Sequence, residues 1–255
     1  MKVSIVTVTY NSEKTLRTTL ESVAKQSFIS NIEHIIVDGK SSDNTLGIAK
    51  DFPHIHKIIS EKDKGIYDAM NKGINNASGD IIGFLNSDDW FYSREIIEEI
   101  IYAFDQNDID AVYGDLVFVE NENDANPKRI WISEPYKDKS FLSGWVPPHP
   151  TFYVKSSIYK KYGLFNPDLM FAADFDIMCR FIAKENIKTK YLPGFKVKMR
   201  LGGATTKNLT NIIKGNIEIF NSLYKNGFNP GPFFIIQKIL TKLNQLRLSN
   251  YETKN

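Results

Sequence analysis

The chain has 255 residues, of which 42% are hydrophobic and 24% are charged, and its formal net charge is +2. This composition is typical of a globular protein of one large domain, or of one domain with an appendage. The small net charge argues against a polyelectrolyte that binds nucleic acid. The single cysteine, Cys179, excludes an intrachain disulfide framework. The first residues do not form a signal-peptide pattern, and no stretch approaches the roughly 20 apolar residues that span a bilayer, so we expect a cytoplasmic protein.

The first ninety residues alternate between predicted strands and predicted helices. Each strand is a short apolar run rich in β-branched residues and bounded by turn residues. This alternation predicts a parallel βαβ sheet with helices on both faces. The predicted strands are residues 3–8, 32–37, 55–60 and 81–85; the predicted helices are 13–25 with Asn11 or Ser12 as cap, 44–51, and 64–72 with Asp63 as cap and Gly73 as the end.

Chemically distinctive side chains follow three of these strands. Tyr10 follows the first strand, Asp38 the second, and Asp88 and Asp89 the fourth. Because parallel strands end at the same edge of a sheet, we expect these side chains to converge. Adjacent carboxylates repel each other unless a cation lies beside them. Mg²⁺ or Mn²⁺ is such a cation, and it typically shares its ligands with substrate phosphates.

Two phosphate-binding motifs are absent from the sequence. There is no GxGxxG after the first strand and no GxxxxGK[ST] anywhere. This argues against a dinucleotide-dependent dehydrogenase and against a P-loop NTPase. Without a glycine-rich cradle, a bound diphosphate needs a metal ion, and the Asp88–Asp89 pair offers a site for one.

Four segments in the first ninety residues carry a family resemblance. They are residues 3–11, 37–45, 64–73 and 85–89. In this order they resemble motifs of the family 2 glycosyltransferases with the GT-A fold, and the third is similar to bacterial members that build O-antigen, capsule and colanic-acid-like polysaccharides. The family usually has Asp before the serine of the fourth motif, where this chain has Asn86. The resemblance implies an α/β GT-A fold, with a mostly parallel nucleotide-binding sheet flanked by helices, a mixed acceptor-side region and C-terminal helices.

The resemblance also implies roles for individual residues. Tyr10 would stack on the base of a nucleotide sugar, and Asp38 would form a hydrogen bond to that base. Asp88 would contact the ribose or sugar, and Asp89, with Asp88 beside it, would coordinate Mn²⁺ or Mg²⁺. Structural roles stay open, such as a helix cap for Asp38. The further nucleotide-sugar-binding candidates are Thr9, Asn11, Asp68, Asn71, His149, Arg200 and Gly203.

The second half of the chain contains the candidate catalytic base. Residues 170–181 resemble the family's acidic motif, which ends in a helix and holds the base. Asp174 is the first candidate and Asp176 the second, and a plain helix cap is the alternative for Asp174. His149 lies among prolines that fix the backbone and would touch the diphosphate or the acceptor, with a purely structural histidine as the alternative. The predicted elements are a helix at 93–106, strands at 111–119, 128–132 and 196–201, and a hairpin or exposed loop at 121–126.

The resemblance implies an inverting transferase. It would move a hexose, best guessed as glucose or galactose from a UDP-sugar, to a lipid-linked acceptor similar to GlcNAc-diphosphate-undecaprenol. The product would be a β-linkage in O-antigen or exopolysaccharide synthesis at the cytoplasmic face of the inner membrane. The alternatives are a nucleotidyltransferase similar to sugar-nucleotide pyrophosphorylases, and a non-catalytic protein that binds nucleotide sugars. Glycoside hydrolysis is disfavoured because its two carboxyl groups must flank the scissile bond.

The domain prediction divides the chain near residue 206. Residues 1–206 form the predicted catalytic domain, with a nucleotide-binding half (1–90) and an acceptor half (91–206), and residues 207–255 form a helical appendage. A predicted helix at 233–248 is apolar with a basic fringe, so it can lie on a membrane, on a partner or on its own domain. The sequence does not indicate an oligomeric state.

Overall fold

The computed structural model describes residues 1–122, 127–202, 209–231, 234–235 and 238. Its first part confirms the predicted alternation of strands and helices, and the strand bounds lie within one residue of those predicted. The elements are β1 (Val3–Thr9), α1 (Leu16–Ala24), β2 (Ile32–Asp38), α2 (Thr45–Lys50), β3 (Ile55–Ser60), α3 (Ile66–Asn76) and β4 (Ile81–Phe84).

The second part mixes antiparallel and parallel strands with short helices. A π-helical stretch, Cys179–Lys184, continues the helix that begins at Ala173. The elements are β5 (Trp90–Phe91), α4 (Ile96–Asp105), β6 (Ala111–Val119), β7 (Arg129–Trp131), β8 (Tyr153–Lys155), α5 (Ser156–Tyr162), α6 (Ala173–Met178), β9 (Thr189–Arg200) and α7 (Leu209–Lys225).

The strands of the described residues form one sheet in the order β3-β2-β1-β4-β8-β6-β9-β5, with β7 paired to β6. The strands β3, β2, β1 and β4 are parallel, as predicted for the nucleotide-binding half. Beyond β4 the sheet is mixed, because β8 is antiparallel to both β4 and β6, whereas β9 is parallel to β6. Thr9 and Asp38 are paired at the last positions of β1 and β2, so the loops that follow them start side by side.

Several helix boundaries differ from the prediction, among them the starts of α1, α3 and α4 and the end of α3. The helix α3 does not end at Gly73 but continues to Asn76. The reason is tertiary packing: a Cβ at Gly73 would lie 2.3 Å from Val6 Cγ1, so this glycine allows the helix to approach β1 closely. Asp63 does not cap α3, because its carboxylate binds Lys72 Nζ at 2.5 Å. The helix α1 begins at Leu16, and neither Asn11 nor Ser12 caps it with a side chain.

The helix α7 turns its apolar stripe outward. Ile213 and Ile217 are 52% and 54% exposed, whereas Leu223 is fully buried in the core. No helix among the described residues is long and apolar enough to cross a membrane. The predicted helix at 233–248 lies almost entirely outside the described residues. The exposed apolar stripe of α7 consists of Leu209, Ile212, Ile213, Ile217, Phe220 and Tyr224.

Candidate functional site

Asp38 organises the loops at the carboxyl ends of β1, β2 and β3. Its buried carboxylate accepts hydrogen bonds from Thr9 Oγ1 at 3.1 Å, Ser41 N at 3.1 Å and Ser60 Oγ at 2.7 Å, and a further one from Ser41 Oγ. These donors come from three successive strand ends. Asp38 therefore holds the loops together, and the hydroxyl of Thr9 is used for the same purpose.

Asn11 joins the loop after β1 to the loop after β2. Its backbone has a left-handed φ of 50°, a conformation that asparagine tolerates better than most residues. Asn11 N donates to Ser41 Oγ at 2.8 Å, and Asn11 Oδ1 accepts from Ser42 N at 2.9 Å. The preceding residue, Tyr10, is 67% exposed, so its ring is available at the surface of this joined loop pair.

A cavity of about 550 Å³ lies beside these loops. Asp88 and Arg200 both line it, whereas Asp89 does not. The cavity therefore brings together the loop after β1, the loop after β4 and the end of β9. Its lining residues are Asn11, Ser12, Glu13, Lys14, Thr15, Asp43, Ser87, Asp88, Arg200, Leu201 and Gly202.

The two adjacent aspartates have different surroundings. Asp89 is completely buried, and its carboxylate accepts hydrogen bonds from Asn86 Nδ2 at 2.9 Å and from the backbone N of Arg200 at 3.2 Å. Burial, and then the charge of Asp88, raise the pKa of Asp89 well above its usual value. Asp89 thus fastens the β4 loop to the end of β9 and is not among the residues that line the cavity, whereas the sequence-based expectation is that it is a metal ligand.

Asp88 is the carboxylate that the cavity exposes. Burial raises the pKa of Asp88, and the positive charge of Arg200 opposes that shift. The Arg200 guanidinium binds Glu122 Oε2 at 3.0 Å and lies 5.5 Å from the centre of the Trp90 ring. A cation next to Asp88 would relieve the desolvation of its charged form.

The residues around Asp88 fit a divalent cation that is shared with a substrate. Two residues before Asp88, the buried Asn86 Oδ1 is an oxygen acceptor without a hydrogen-bond donor, although Asn86 does not line the cavity. Within the described residues, no three His, Cys, Asp or Glu side chains gather into a metal-binding group. A hard cation that takes its remaining ligands from phosphates and water suits such a sparse oxygen donor set.

Asp174 lies in the first turn of α6, as the sequence predicted for the candidate base. Its Oδ1 accepts hydrogen bonds from the backbone N of Phe175 at 2.8 Å and from the hydroxyl of Tyr67 at 3.4 Å. Burial, and then the charge of Asp174, raise the pKa of Tyr67 well above its usual value, so that this hydroxyl keeps its proton. The helix α3 thereby reaches the acidic helix α6.

An aromatic cluster, defined as Tyr67, Phe84, His149 and Phe165, connects Asp174 to the end of β4. His149 stacks on Phe84 with ring centres 5.6 Å apart, and Phe165 stacks on Tyr67 at 5.8 Å. Phe165 also meets both Phe84 and His149 edge-on. Burial lowers the pKa of His149, the charge of Asp174 opposes this shift, and His149 Nε2 is buried without a partner.

Other predicted site residues are engaged by the protein itself. Asn71 exchanges two hydrogen bonds with the backbone of Phe165, at 2.9 and 3.0 Å, so it holds the aromatic cluster. Asp176 Oδ1 accepts from Ser222 Oγ at 2.6 Å and Asn226 Nδ2 at 3.1 Å, so it ties α6 to the C-terminal end of α7. Asp68 accepts from the backbone N of Lys64 at 3.0 Å, at the start of α3. Gly203 lies outside the described residues.

The sequence reasoning missed Tyr67 and Glu218. Tyr67 belongs to a quoted motif, but only the packing of α3 against α6 gives its hydroxyl a role. Glu218 accepts backbone hydrogen bonds from Met170, Phe171 and Ala172, and it lies in a part of the chain that carries no motif. No signal in the sequence indicates that contact, since it joins residues 46 to 48 positions apart.

Residues 4–170 match the family model described as glycosyl transferase family 2. The chain belongs to this family. An uncharacterized glycosyltransferase of Mycobacterium tuberculosis is 32% identical over 181 residues, which cover 70% of this chain and 68% of that protein. The family resemblance inferred from the sequence is therefore confirmed, and the chain is a glycosyltransferase.

Solved structures confirm the GT-A fold of this family 2 glycosyltransferase. Residues 1–349 of Staphylococcus aureus TarS in complex with UDP superpose with a TM-score of 0.70 at 19% identity, covering all of this chain and 75% of that one. A longer TarS chain is matched over only 40% of its length. The mannosyltransferase PcManGT of Pyrobaculum calidifontis, in complex with GDP-Man and Mn²⁺, gives a TM-score of 0.65 at 16% identity and covers 97% of this chain and 73% of that one.

Proposed function

We propose that this family 2 glycosyltransferase is inverting and transfers a hexose from a UDP-sugar to a hydroxyl group of a lipid-linked saccharide, forming a β-linkage. One observation carries the proposal. Asp174 is linked through Tyr67 and Phe165 to Phe84, the last residue of β4, and the loop that follows β4 carries Asp88 to the cavity. A leaving diphosphate at Asp88 and an attacking hydroxyl at Asp174 would use these two linked positions.

Residues 1–90, the predicted nucleotide-binding half, would bind the nucleotide. The exposed ring of Tyr10 is suited to stack on a base, and the loops fixed by Asp38 and Asn11 supply polar groups for the base and ribose. Arg200 lines the cavity and offers positive charge to a diphosphate. The UDP in the TarS complex and the GDP-Man in the PcManGT complex support a nucleotide-sugar donor for this chain as well.

We assign the metal-facing role to Asp88, which lines the cavity, and the role of fixing the loop to Asp89. The Mn²⁺ in the PcManGT complex supports the use of a divalent cation. When bound, Mn²⁺ or Mg²⁺ would stabilise negative charge on the departing diphosphate. The protein's own contribution at this place is to hold Asp88 beside Arg200.

Asp174 would act as the general base. It would accept the proton of the acceptor hydroxyl while the hydroxyl oxygen attacks the anomeric carbon from the side opposite the leaving diphosphate, which inverts the configuration. General-base help of this kind is typically worth about 10²–10⁴-fold in rate. The Tyr67 hydroxyl and the backbone N of Phe175 keep the Asp174 carboxylate in place.

The acceptor would be presented at a membrane surface. The exposed apolar stripe of α7 belongs to the helix that packs on α6, so its contact with a bilayer would bring Asp174 near a lipid-linked saccharide. We keep residues 1–206 as the proposed catalytic unit. The buried Leu223 indicates that at least α7 of the proposed appendage (207–255) packs on that unit. O-antigen or exopolysaccharide synthesis is the setting in which such an acceptor is used.

The test is a transfer assay with UDP-glucose, UDP-galactose and UDP-N-acetylglucosamine as donors and a GlcNAc-diphosphate-lipid analogue as acceptor. We expect one UDP-sugar to give metal-dependent formation of a β-linked disaccharide, with the anomeric configuration read by NMR. An α-linked product from an α-linked donor would contradict inversion. Formation of a nucleotide sugar from UTP and a sugar phosphate would favour the nucleotidyltransferase alternative.

A further inference from the structure

Three consecutive backbone N–H groups just before α6 donate to one carboxylate from a distant part of the chain. Glu218 on α7 accepts hydrogen bonds from Met170 N at 3.0 Å, Phe171 N at 2.8 Å and Ala172 N at 3.0 Å. Hydrogen bonds to an ionised acceptor are roughly twice as strong as neutral ones. The turn between Met170 and Ala172 is therefore fixed by a side chain that lies outside the matched family region, residues 4–170.

The turn has no local side chain that could do the same. Ala172 is the residue before the first helical position of α6, and no side-chain cap is present there. Serine, threonine, aspartate or asparagine at this position would fix the turn from within. Because Ala172 lacks a polar side chain, the path of the backbone into α6 depends on Glu218.

Asp174 comes two residues after this turn, whereas a second contact with α7 lies after Asp174. Asp176 Oδ1 accepts from Ser222 Oγ and Asn226 Nδ2 at 2.6 and 3.1 Å. Residues four positions apart in a helix share a face, so Glu218 and Ser222, with Asn226 directly after the end of α7, contact α6 and its leading turn along one side. Glu218 therefore fixes the backbone segment that immediately precedes Asp174 in the chain.

We infer that Glu218 is a positioning residue for Asp174. It acts through the backbone of Met170–Ala172 and sets where the Asp174 carboxylate stands relative to Tyr67 and the acceptor hydroxyl. A misplacement of about 1 Å by a mutation remote from the reacting atoms can cost 10²-fold in rate. The inference rests on the proposed role of Asp174 as the general base.

The test compares Glu218→Gln with Ser222→Ala, a control on the same face of α7 one turn away. UDP release from the best of three UDP-sugars (glucose, galactose and N-acetylglucosamine) with the GlcNAc-diphosphate-lipid analogue gives kcat and the donor KM. We expect Glu218→Gln to lower kcat by about tenfold or more with an unchanged donor KM and UDP affinity, and Ser222→Ala to lower kcat less than about threefold. In an Asp174→Asn background, Glu218→Gln should change the residual kcat less than about twofold.

Several results would overturn the inference. They are a kcat within threefold of wild type in Glu218→Gln, an equal loss in Ser222→Ala, and an independent further loss in the Asp174→Asn background. If Glu218→Gln unfolds, Glu218→Asp is measured instead, and unfolding of both variants would make Glu218 a stability residue and overturn its positioning role. If Asp174→Asn keeps wild-type activity, the proposed role of Asp174 as the base is wrong. If Asp174→Asn is inactive but Glu218→Gln keeps wild-type activity, only the positioning role of Glu218 is wrong.

Discussion

The hydroxyl of Tyr67 on α3 donates a hydrogen bond to Asp174 Oδ1 on α6, across 107 positions of sequence. This contact joins the predicted nucleotide-binding half to the acidic helix of the predicted acceptor half. It is supported by the stacking of the Tyr67 ring on Phe165, whose backbone is held in turn by Asn71. A substitution at Tyr67 can therefore test whether the two halves cooperate at one site.

We predict that Tyr67→Phe lowers kcat by roughly 2- to 10-fold, because one hydrogen bond worth about 0.5–1.5 kcal/mol to the Asp174 carboxylate is lost while the ring stacking is kept. Steady-state kinetics with the best UDP-sugar measure the effect. The control is Tyr159→Phe, which changes a buried tyrosine on α5 that packs on Phe181. Equal kcat values for Tyr67→Phe and the wild type would show that this hydroxyl does not assist Asp174.

We predict that Asp88→Asn reduces UDP release by at least about 10²-fold, whereas Asp89→Asn keeps more than about a tenth of the wild-type rate. The structural reason is that Asp88 lines the cavity, while Asp89 is buried among the hydrogen bonds of Asn86 and Arg200, which an asparagine can partly keep. Calorimetric titration of Mn²⁺ in the presence of UDP should lose its signal in Asp88→Asn. EDTA should abolish wild-type activity reversibly, and full activity in EDTA would refute the metal assignment.

Base stacking predicts that Tyr10→Ala weakens UDP binding by about 1–3 kcal/mol, the usual contribution of an aromatic ring under a base. Because Tyr10 is 67% exposed, its replacement should leave the melting temperature unchanged. Tyr102→Ala is the matched control, since Tyr102 is 66% exposed on α4. Calorimetric titration with UDP measures the affinity of each variant, and equal UDP affinities for Tyr10→Ala and Tyr102→Ala would exclude the stacking role.

The stripe on α7 gives a prediction about membrane binding. The double substitution Ile213→Asp and Ile217→Asp should reduce co-sedimentation with anionic phospholipid vesicles several-fold, because both side chains are about half exposed and would be removed from the apolar surface. Activity on a short-chain acceptor analogue should be retained. Tyr102→Asp provides the exposed control on another helix, and unchanged sedimentation of the double variant would rule out this surface.

Protein stability should fall as the pH decreases from 7 to 5. Burial, then His54 and His56, lower the pKa of His34 to about 3, so His34 is neutral in the folded protein but titrates near 6.5 when unfolded. Between these values the unfolded chain binds more protons, and the free energy of unfolding therefore rises with pH, by up to about 1.4 kcal/mol per pH unit for one such group. Urea denaturation at pH 5, 6 and 7 measures this slope. His34→Gln should flatten it, and an unchanged slope in that variant would assign the dependence to other groups.

Much of the structure of residues 1–90, the predicted nucleotide-binding half, could be predicted from the sequence. The segments of β1 to β4 can be predicted as strands from local sequence, because each is a group of apolar, β-branched residues bounded by turn residues. A parallel sheet then brings the residues after each strand to one edge. Asp38 and Asp88 lie at that edge for this reason alone. The predicted helix end at Gly73 is wrong because it rests on the local preference of glycine for helix ends. Gly73 instead lies inside α3, where the absence of a side chain allows the close approach of Val6.

The sequence by itself determined the family, the order of the elements and the residue types of the site, because these depend on short motifs and on hydrophobic periodicity. Tertiary structure alone decided the different surroundings of the neighbouring carboxylates. Asp88 faces the cavity while Asp89 is buried, and Asp174 meets Tyr67 while Asp176 holds α7, although each pair is adjacent or nearly so in sequence. It also decided that α7 turns Glu218 inward, where backbone N–H groups some fifty residues away in sequence donate to it, and turns Ile212, Ile213 and Ile217 outward.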